Sequence, residues 1–428
     1  MTVHRRIRLT TALVALATGA PAVAGQEPVA PATGDTLRVA EVVRGVLEAN
    51  PAVRASRLAA AAAAERVSPA GAWPDPTLQL GLMNRPLDGF ATDERMTMNV
   101  VGLIQTFRWP GKLGFAEERA EHVSNAAALD ADEVEARLVA RALSLYYGLA
   151  ALDRSIDVME ETLHLLDDIE EITEARYRVG QGLQQDVLQA QVAVARMRAD
   201  VTAARMRRVG QAARLNALMG RPGSDPVGTL ELPPAEPGLP PLDSLMATAA
   251  AGRPALAAAR ERTRAAEAAR RLARRQLYPD LTLGLSYGQR PEFDDMGSVM
   301  VGFRLPLFAG SRELPMRREA EAEQAAAEAR ALDLYYETWA RLADLRAAAE
   351  RAAELERLYR TSILPQAEAA VSSALGAYRV GQLEATTLIE SQLAVNRYEI
   401  ERLRLAAEHR QALAEIDALT RTGSGVEE

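Results

Sequence analysis

Between residues 298 and 307 apolar positions alternate with small or polar ones: Val299, Val301, Phe303, Leu305 and Leu307 fall on one side, Ser298, Met300, Gly302 and Arg304 on the other. A period of two marks a strand with one apolar face. Leu281, Leu283, Leu285 and Tyr287 alternate in the same way with Thr282, Gly284 and Ser286, as do Leu78, Leu80 and Leu82 with Thr77, Gln79 and Gly81. A fourth run, less regular, covers 96–107. Strands are expected over about 76–85, 96–107, 280–288 and 297–308. Helices are expected between them: 38–72 and 242–276, two very long ones at 111–179 and 311–380, and two final ones at 182–220 and 383–420. In the last of these, Tyr398, Leu405, Ala412 and Leu419 step by seven, and so do Leu393, Ile400, Ala407 and Ala414 on the opposite side. A helix with two opposed seams has a neighbour on each flank, as in the wall of a cylinder. Each long helix would reach about 100 Å at 1.5 Å per residue. The two shorter helices of each set add up to a similar length, so stacked end to end they match one long helix.

The chain is written twice. Tyr177-Arg178-Val179-Gly180-Gln181 returns as Tyr378-Arg379-Val380-Gly381-Gln382, an offset of 201. Held without a gap as far as Arg196 and Arg397, that offset gives nine identities in twenty positions. Upstream, Pro74-Asp75-Pro76-Thr77-Leu78 answers Pro279-Asp280-Leu281-Thr282-Leu283. The expected plan is two repeats, 37–220 and 242–421, joined by a Pro- and Gly-rich connector at 221–241 and followed by a tail at 422–428.

Arg5, Arg6 and Arg8 precede an apolar run from Thr11 to Ala24 that ends in Ala22-Val23-Ala24. This reads as a signal peptide over 1–24, with 25–36 a flexible leader, and directs the mature chain out of the cytoplasm. Composition then removes most chemistry. There is no Cys, so thiol catalysis, disulfides, iron–sulfur clusters and Cys-based zinc sites are excluded. His122, His164 and His409 share no ligand spacing, and no metal site is assigned. A net charge of -8 leaves no basic stripe, so nucleic acid is not expected as a partner. No nucleophile–base set or phosphate-cradling loop appears, so neither an enzymatic step nor a cofactor is assigned. The acids crowding 153–174 read as a solvated face, and Tyr335, Tyr336 and Trp339 as a buried stripe.

Strands of this length suit a tilted crossing of a bilayer. The loops at 86–95 and 289–296, rich in Asp and Glu, would face water, while Trp73, Trp109, Tyr278 and Phe308 all fall at the opposite end, where an interfacial aromatic girdle belongs. Packing at the strand-to-helix junction accounts for these rings equally well. Four strands cannot close a barrel, and an open edge in lipid leaves backbone groups unpaired, so several copies must combine. The competing class, an elongated periplasmic coiled-coil scaffold, uses the helices but leaves the strands without a role.

The doubled order of helix, strand pair, long helix, Val-Gly turn and helix resembles the TolC family of outer-membrane efflux ducts over about 37–421. The stretch Gln105-Thr106-Phe107-Arg108-Trp109-Pro110-Gly111-Lys112-Leu113 is similar to the CzcC and CusC branch, associated with heavy-metal efflux. The resemblance implies a mainly α fold with a membrane β part. It implies a homotrimer whose twelve-stranded barrel in outer-membrane lipid continues as an α-helical tunnel into the periplasm. It also implies a periplasmic adaptor and an inner-membrane pump of the RND type as partners, with passive export of metal cations or drugs. Val179, Gly180, Gln181, Val380, Gly381 and Gln382 become the adaptor-contacting tip. Asp186, Gln189, Thr387 and Glu390, six and nine residues past each turn glycine, become the pore constriction, with one acid per repeat. Leu383 stands where the family has a latching Arg.

Overall fold

The computed structural model describes residues 36–85, 95–236, 238–291 and 293–420. The signal segment, nearly all of the leader, residues 86–94, Glu292 and the tail lie outside the described residues.

Most breaks in the expected helices fall at prolines; the one at Glu65-Arg66 does not. The first helix of each repeat is divided, into α1 (Val39–Ala49), α2 (Pro51–Ala64) and α3 (Val67–Gly71) in the first and α6 (Leu242–Gly252) and α7 (Pro254–Arg275) in the second. Asn50 and Arg253 precede prolines and are extended, with ψ of 123° and 120°. The proline ring disfavours helical backbone in the residue before it, and proline itself suits the first turn of a new helix. The first long helix is unbroken as α4 (Lys112–Arg178, 67 residues). The second is not: α8 (Glu313–Leu358) passes through a π turn at Tyr359–Ile363 into α9 (Leu364–Arg379). Pro365 has no N–H to bond back along the helix, and the wider turn accommodates it. The final helices are α5 (Gln184–Leu218) and α10 (Ala385–Thr420).

Strands β1 (Thr77–Met83), β2 (Met98–Phe107), β3 (Leu281–Gln289) and β4 (Met296–Phe303) form one antiparallel sheet in that order. β4 stops five residues short of the expected 308, because Pro306 cannot donate to a ladder and the chain turns there. The register explains the alternation. Leu80 pairs with Val101, Leu103 with Leu285, Leu283 with Val301 and Leu281 with Phe303, so one side of the whole sheet is apolar. The other side carries Gln79, Gly81, Gly102, Gly284, Ser286 and Gly302, together with Val100, Ile104 and Met300. The apolar side is uncovered, with Leu80 74% and Val299 72% exposed. β1 and β4 are edges, each bonded to one strand only.

The helices form a wall. α4 packs against α2, α5, α7 and α10, and α7 and α10 pack in turn against α8. α10 thus has neighbours on both sides, as its two seams require. At the joint of α5 and α2 the Asn50 amide donates to the Leu218 carbonyl at 2.7 Å, while its oxygen accepts from Ala52 N–H at 2.8 Å. Gly220, at φ 68°, lets α5 end there, and a Cβ would come within 2.5 Å of the Ala49 oxygen. Several of the acids expected on a solvated face instead bridge α4 to α5. Asp153, Glu160 and Asp167, spaced by seven, meet Arg208, Arg205 and Arg198 at 2.6, 2.8 and 3.0 Å. Tyr335 and Trp339 pack against the α6–α8 core, whereas Tyr336 is exposed, because it lies on the opposite side of the helix from that core.

Where sheet meets helices, Lys112, the sole lysine, is buried. Its ammonium donates to the Tyr278 carbonyl and to Asp280 Oδ1, both at 2.8 Å. Trp109 N–H donates to the same Oδ1 at 2.9 Å, and Arg108 lies 3.3 Å from Oδ2. Burial opposes the charged carboxyl, but the Lys112 and Trp109 hydrogen bonds outweigh it and hold Asp280 below the usual carboxylate range. A depressed folded value means that this stabilisation is complete above about pH 4, the unfolded value, and is lost as pH falls through the folded one. Lys112→Met strands the carboxylate and is expected to cost about 3 kcal/mol, read as a lower thermal midpoint in detergent by circular dichroism, with a shallower acid dependence. An unchanged midpoint would mean that Arg108 and the backbone suffice.

Candidate functional site

At the end of the helices remote from the sheet, α4 and α9 each stop in the same way. Gly180 and Gly381 adopt φ of 74° and 75°, a left-handed conformation that glycine enters without strain. Gly180 N–H bonds to the Tyr177 carbonyl at 3.0 Å and Gln181 N–H to Arg176 at 2.8 Å. In the second repeat Gly381 bonds to Tyr378 at 3.0 Å and Gln382 to Ala377 at 2.9 Å. Both are Schellman caps, which satisfy the last helical carbonyls. Val179 and Val380, the capping residues, are 68% and 70% exposed.

The two turns touch through Arg176, which the sequence did not single out. Its guanidinium donates to the Tyr378 carbonyl at 2.6 Å and to the Gln181 carbonyl at 3.3 Å, and stacks 4.9 Å above the Tyr378 ring. Ala377 occupies the matching position in the second repeat, so only one arginine ties the pair. This makes the tyrosines of the repeated string unequal: Tyr378 is 3% exposed and Tyr177 45%. Burial raises the Tyr378 phenol above its usual range, with Arg176 opposing and nearby Asp186 reinforcing the shift.

Beyond the turns, α5 and α10 run side by side over a core that includes Ala190, Val194, Leu388 and Ile389. Gln189 accepts a hydrogen bond from the Thr386 hydroxyl across the pair. Gln189 and Glu390 line one groove of about 600 Å³ between these helices, together with Arg196, Asp200 and Arg397. Asp186 and Thr387 are not among its lining residues. Asp186 sits in the first turn of α5 and Thr387 is exposed on α10. The structure therefore brings two of the four constriction candidates together and adds two arginines beside them.

At the opposite end, Trp109 and Tyr278 stack with ring centres 5.3 Å apart, Trp73 packs edge-on to Phe107, and Phe308 is exposed in the turn after β4. All four candidate girdle residues lie where sheet meets helices. His122 Nδ1 lies 2.7 Å from Glu261, His409 is buried against the Ala349 carbonyl, and His164 is exposed.

The family model described as outer membrane efflux protein matches residues 42–221 and again 245–421, so the chain belongs to that family, and the double match falls on the two repeats. It is 25% identical over 347 residues to the pyoverdine export outer membrane protein OpmQ of Pseudomonas putida, covering 77% of this chain and 72% of that one. Its fold is similar to that of the outer membrane protein VceC of Vibrio cholerae, with a TM-score of 0.76, 20% identity, and 90% and 96% of the two chains covered. It is equally similar to CusC, with a TM-score of 0.77, 18% identity, and 90% and 92% covered. The fold is TolC-like: mainly helical, with a small antiparallel sheet.

Arg176→Ala is expected to free the second turn, with local opening made easier by about 1 kcal/mol. Amide hydrogen exchange at Gly381 and Gln382 should quicken several-fold while the sheet is unaffected, and Arg176→Lys should restore part of the protection. Equal exchange in all three proteins would show that the turn holds itself.

Proposed function

We propose that the chain is the exit duct of a tripartite efflux system: a homotrimer whose twelve strands close a barrel in the outer membrane and whose helices continue as a periplasmic tunnel. The observation that carries this reading is the sheet, apolar and uncovered on one side and unpaired at both edges. Such a sheet is satisfied only by lipid on that face and by other strands at its edges. A periplasmic scaffold would leave that face in water, against the size limit on exposed apolar patches. In this reading Trp73, Trp109, Tyr278 and Phe308 lie at the inner interface of the bilayer.

The exposed valines at matching turns support a docking role for Val179, Gly180, Gln181, Val380, Gly381 and Gln382. Three chains would present six such turns to a periplasmic adaptor, which couples the duct to an inner-membrane pump. The chain has no nucleotide-cradling loop, so transport through it is passive and the pump supplies the energy. Asp186, Gln189, Thr387 and Glu390 narrow the passage just above the turns. Membership of the family supports export as the role. It leaves the solute open, and OpmQ, named for pyoverdine export, makes an organic solute as good a candidate as the metal cations or drugs that the sequence suggested.

Val179→Asp with Val380→Asp leaves the Schellman caps intact and places charge in the proposed contact. Normal trimers in the outer membrane, lost cross-linking to the adaptor and lost efflux are expected; efflux that survives would restrict the turns to reversing the helices. Asp186→Ala with Glu390→Ala is expected to relieve block by divalent cations in planar bilayers. Unchanged block in well-assembled protein would place these acids outside the passage.

A further inference from the structure

Arg196 and Arg397 stand sixteen residues past Gly180 and Gly381 and are equivalent under the 201-residue repeat. Both are exposed and both line the groove between α5 and α10. Among the described residues neither has an ion-pair or hydrogen-bond partner. Other arginines on the same helices are engaged, although Arg207 and Arg214 of α5 are not. Arg198 and Arg205 reach acids of α4, Arg402 pairs with Glu399 at 2.6 Å, and Arg404 pairs with Glu401 at 2.6 Å. Two free guanidiniums have thus been placed at one level, on one face, by both halves of a duplicated chain.

The surrounding charges set what this level can hold. Asp200 lies one turn further along α5 and Glu390 two turns nearer the tip on α10, both in the groove, and neither comes within 4.0 Å of an arginine. At 1.5 Å per residue Glu390 is about 10 Å along the axis from Arg397. The repeat counts the tiers. Glu390 is matched by Gln189, and Asp200 by Glu401, which Arg404 already engages. Each acidic tier therefore comes from one repeat, whereas the arginine tier comes from both. In a trimer that makes six guanidiniums flanked by two rings of three carboxylates. A second groove, between α4 and α9 with α10 behind, is lined by Glu161, Glu368 and Glu399 and by no arginine.

We infer that Arg196 and Arg397 form an anion-binding tier that receives the carboxylates of a departing organic solute. A guanidinium offers two parallel N–H donors that match a carboxylate, and the groove volume suits a small molecule. The inference rests on the reading that this groove faces the passage. It turns the preference of the site from cations alone towards solutes that carry acidic groups, held at the arginines.

The probe is citrate, titrated calorimetrically into the purified oligomer at low salt. The native protein is expected to bind it, Arg196→Gln or Arg397→Gln to weaken binding about tenfold, and the double variant to lose it. Equal binding by the double variant, or none by the native protein, would overturn the anion tier. Because the chain has no Cys, Arg196→Cys and Arg397→Cys can be labelled without background by a negatively charged methanethiosulfonate in planar bilayers. A current altered by labelling supports placement in the passage, and if citrate binding is then absent the tier alone falls. Complete labelling with unaltered current overturns the passage reading, and with it the selection of solutes by this tier.

Discussion

Backbone hydrogen bonding at the two edges of the sheet is the constraint on which the rest of the molecule depends. β1 and β4 each leave one row of N–H and C=O groups without a strand beside them, and the face they frame is apolar and uncovered. In water such an edge invites aggregation; in lipid it is forbidden unless closed. Closure by other copies solves both problems at once and fixes where the helices go. Each strand pair feeds a long helix, so a ring of strand pairs would become a ring of helices, and every helix would have to accept a neighbour on both flanks. The packing of α10 between α4 and α8 meets that demand within one chain. The Lys112–Asp280 contact sits where the sheet passes into the helices.

Duplication supplies near-equivalent parts, and the departures from equivalence are where particular behaviour resides. Asn50 seals the joint between stacked helices in the first repeat, while its counterpart Arg253 reaches instead to Glu133 and Thr338. Arg176 has no counterpart and makes one turn depend on the other. The arginines at 196 and 397 are equivalent and free, which is the opposite pattern: a feature kept in both halves although no contact within the chain requires it.

Much of this was legible in the sequence because it depends on local period. Alternation gave the strands and their apolar side, the heptads gave the two-sided helix, and the 201-residue offset showed that the chain is written twice. Misreadings arose where a pattern outran the backbone. Leu305 and Leu307 continue the alternation past the point at which Pro306 ends the ladder, and the single helix expected over 38–72 is interrupted at Asn50-Pro51. Pro365 passed unnoticed because a π turn leaves the helical pattern nearly unchanged. The tie from Arg176 to Tyr378 was not legible at all, since it joins residues 202 apart and shows no period. The pairing of 153, 160 and 167 with α5 was hidden for the same reason, so those acids looked like a solvated face.

The account stands or falls on whether the sheet edges are closed by other copies of this chain. Native mass spectrometry of the protein extracted from the outer membrane in mild detergent reads the copy number directly. The account predicts a complex of three mature chains that persists on dilution. A single chain, recovered soluble without detergent, would contradict it.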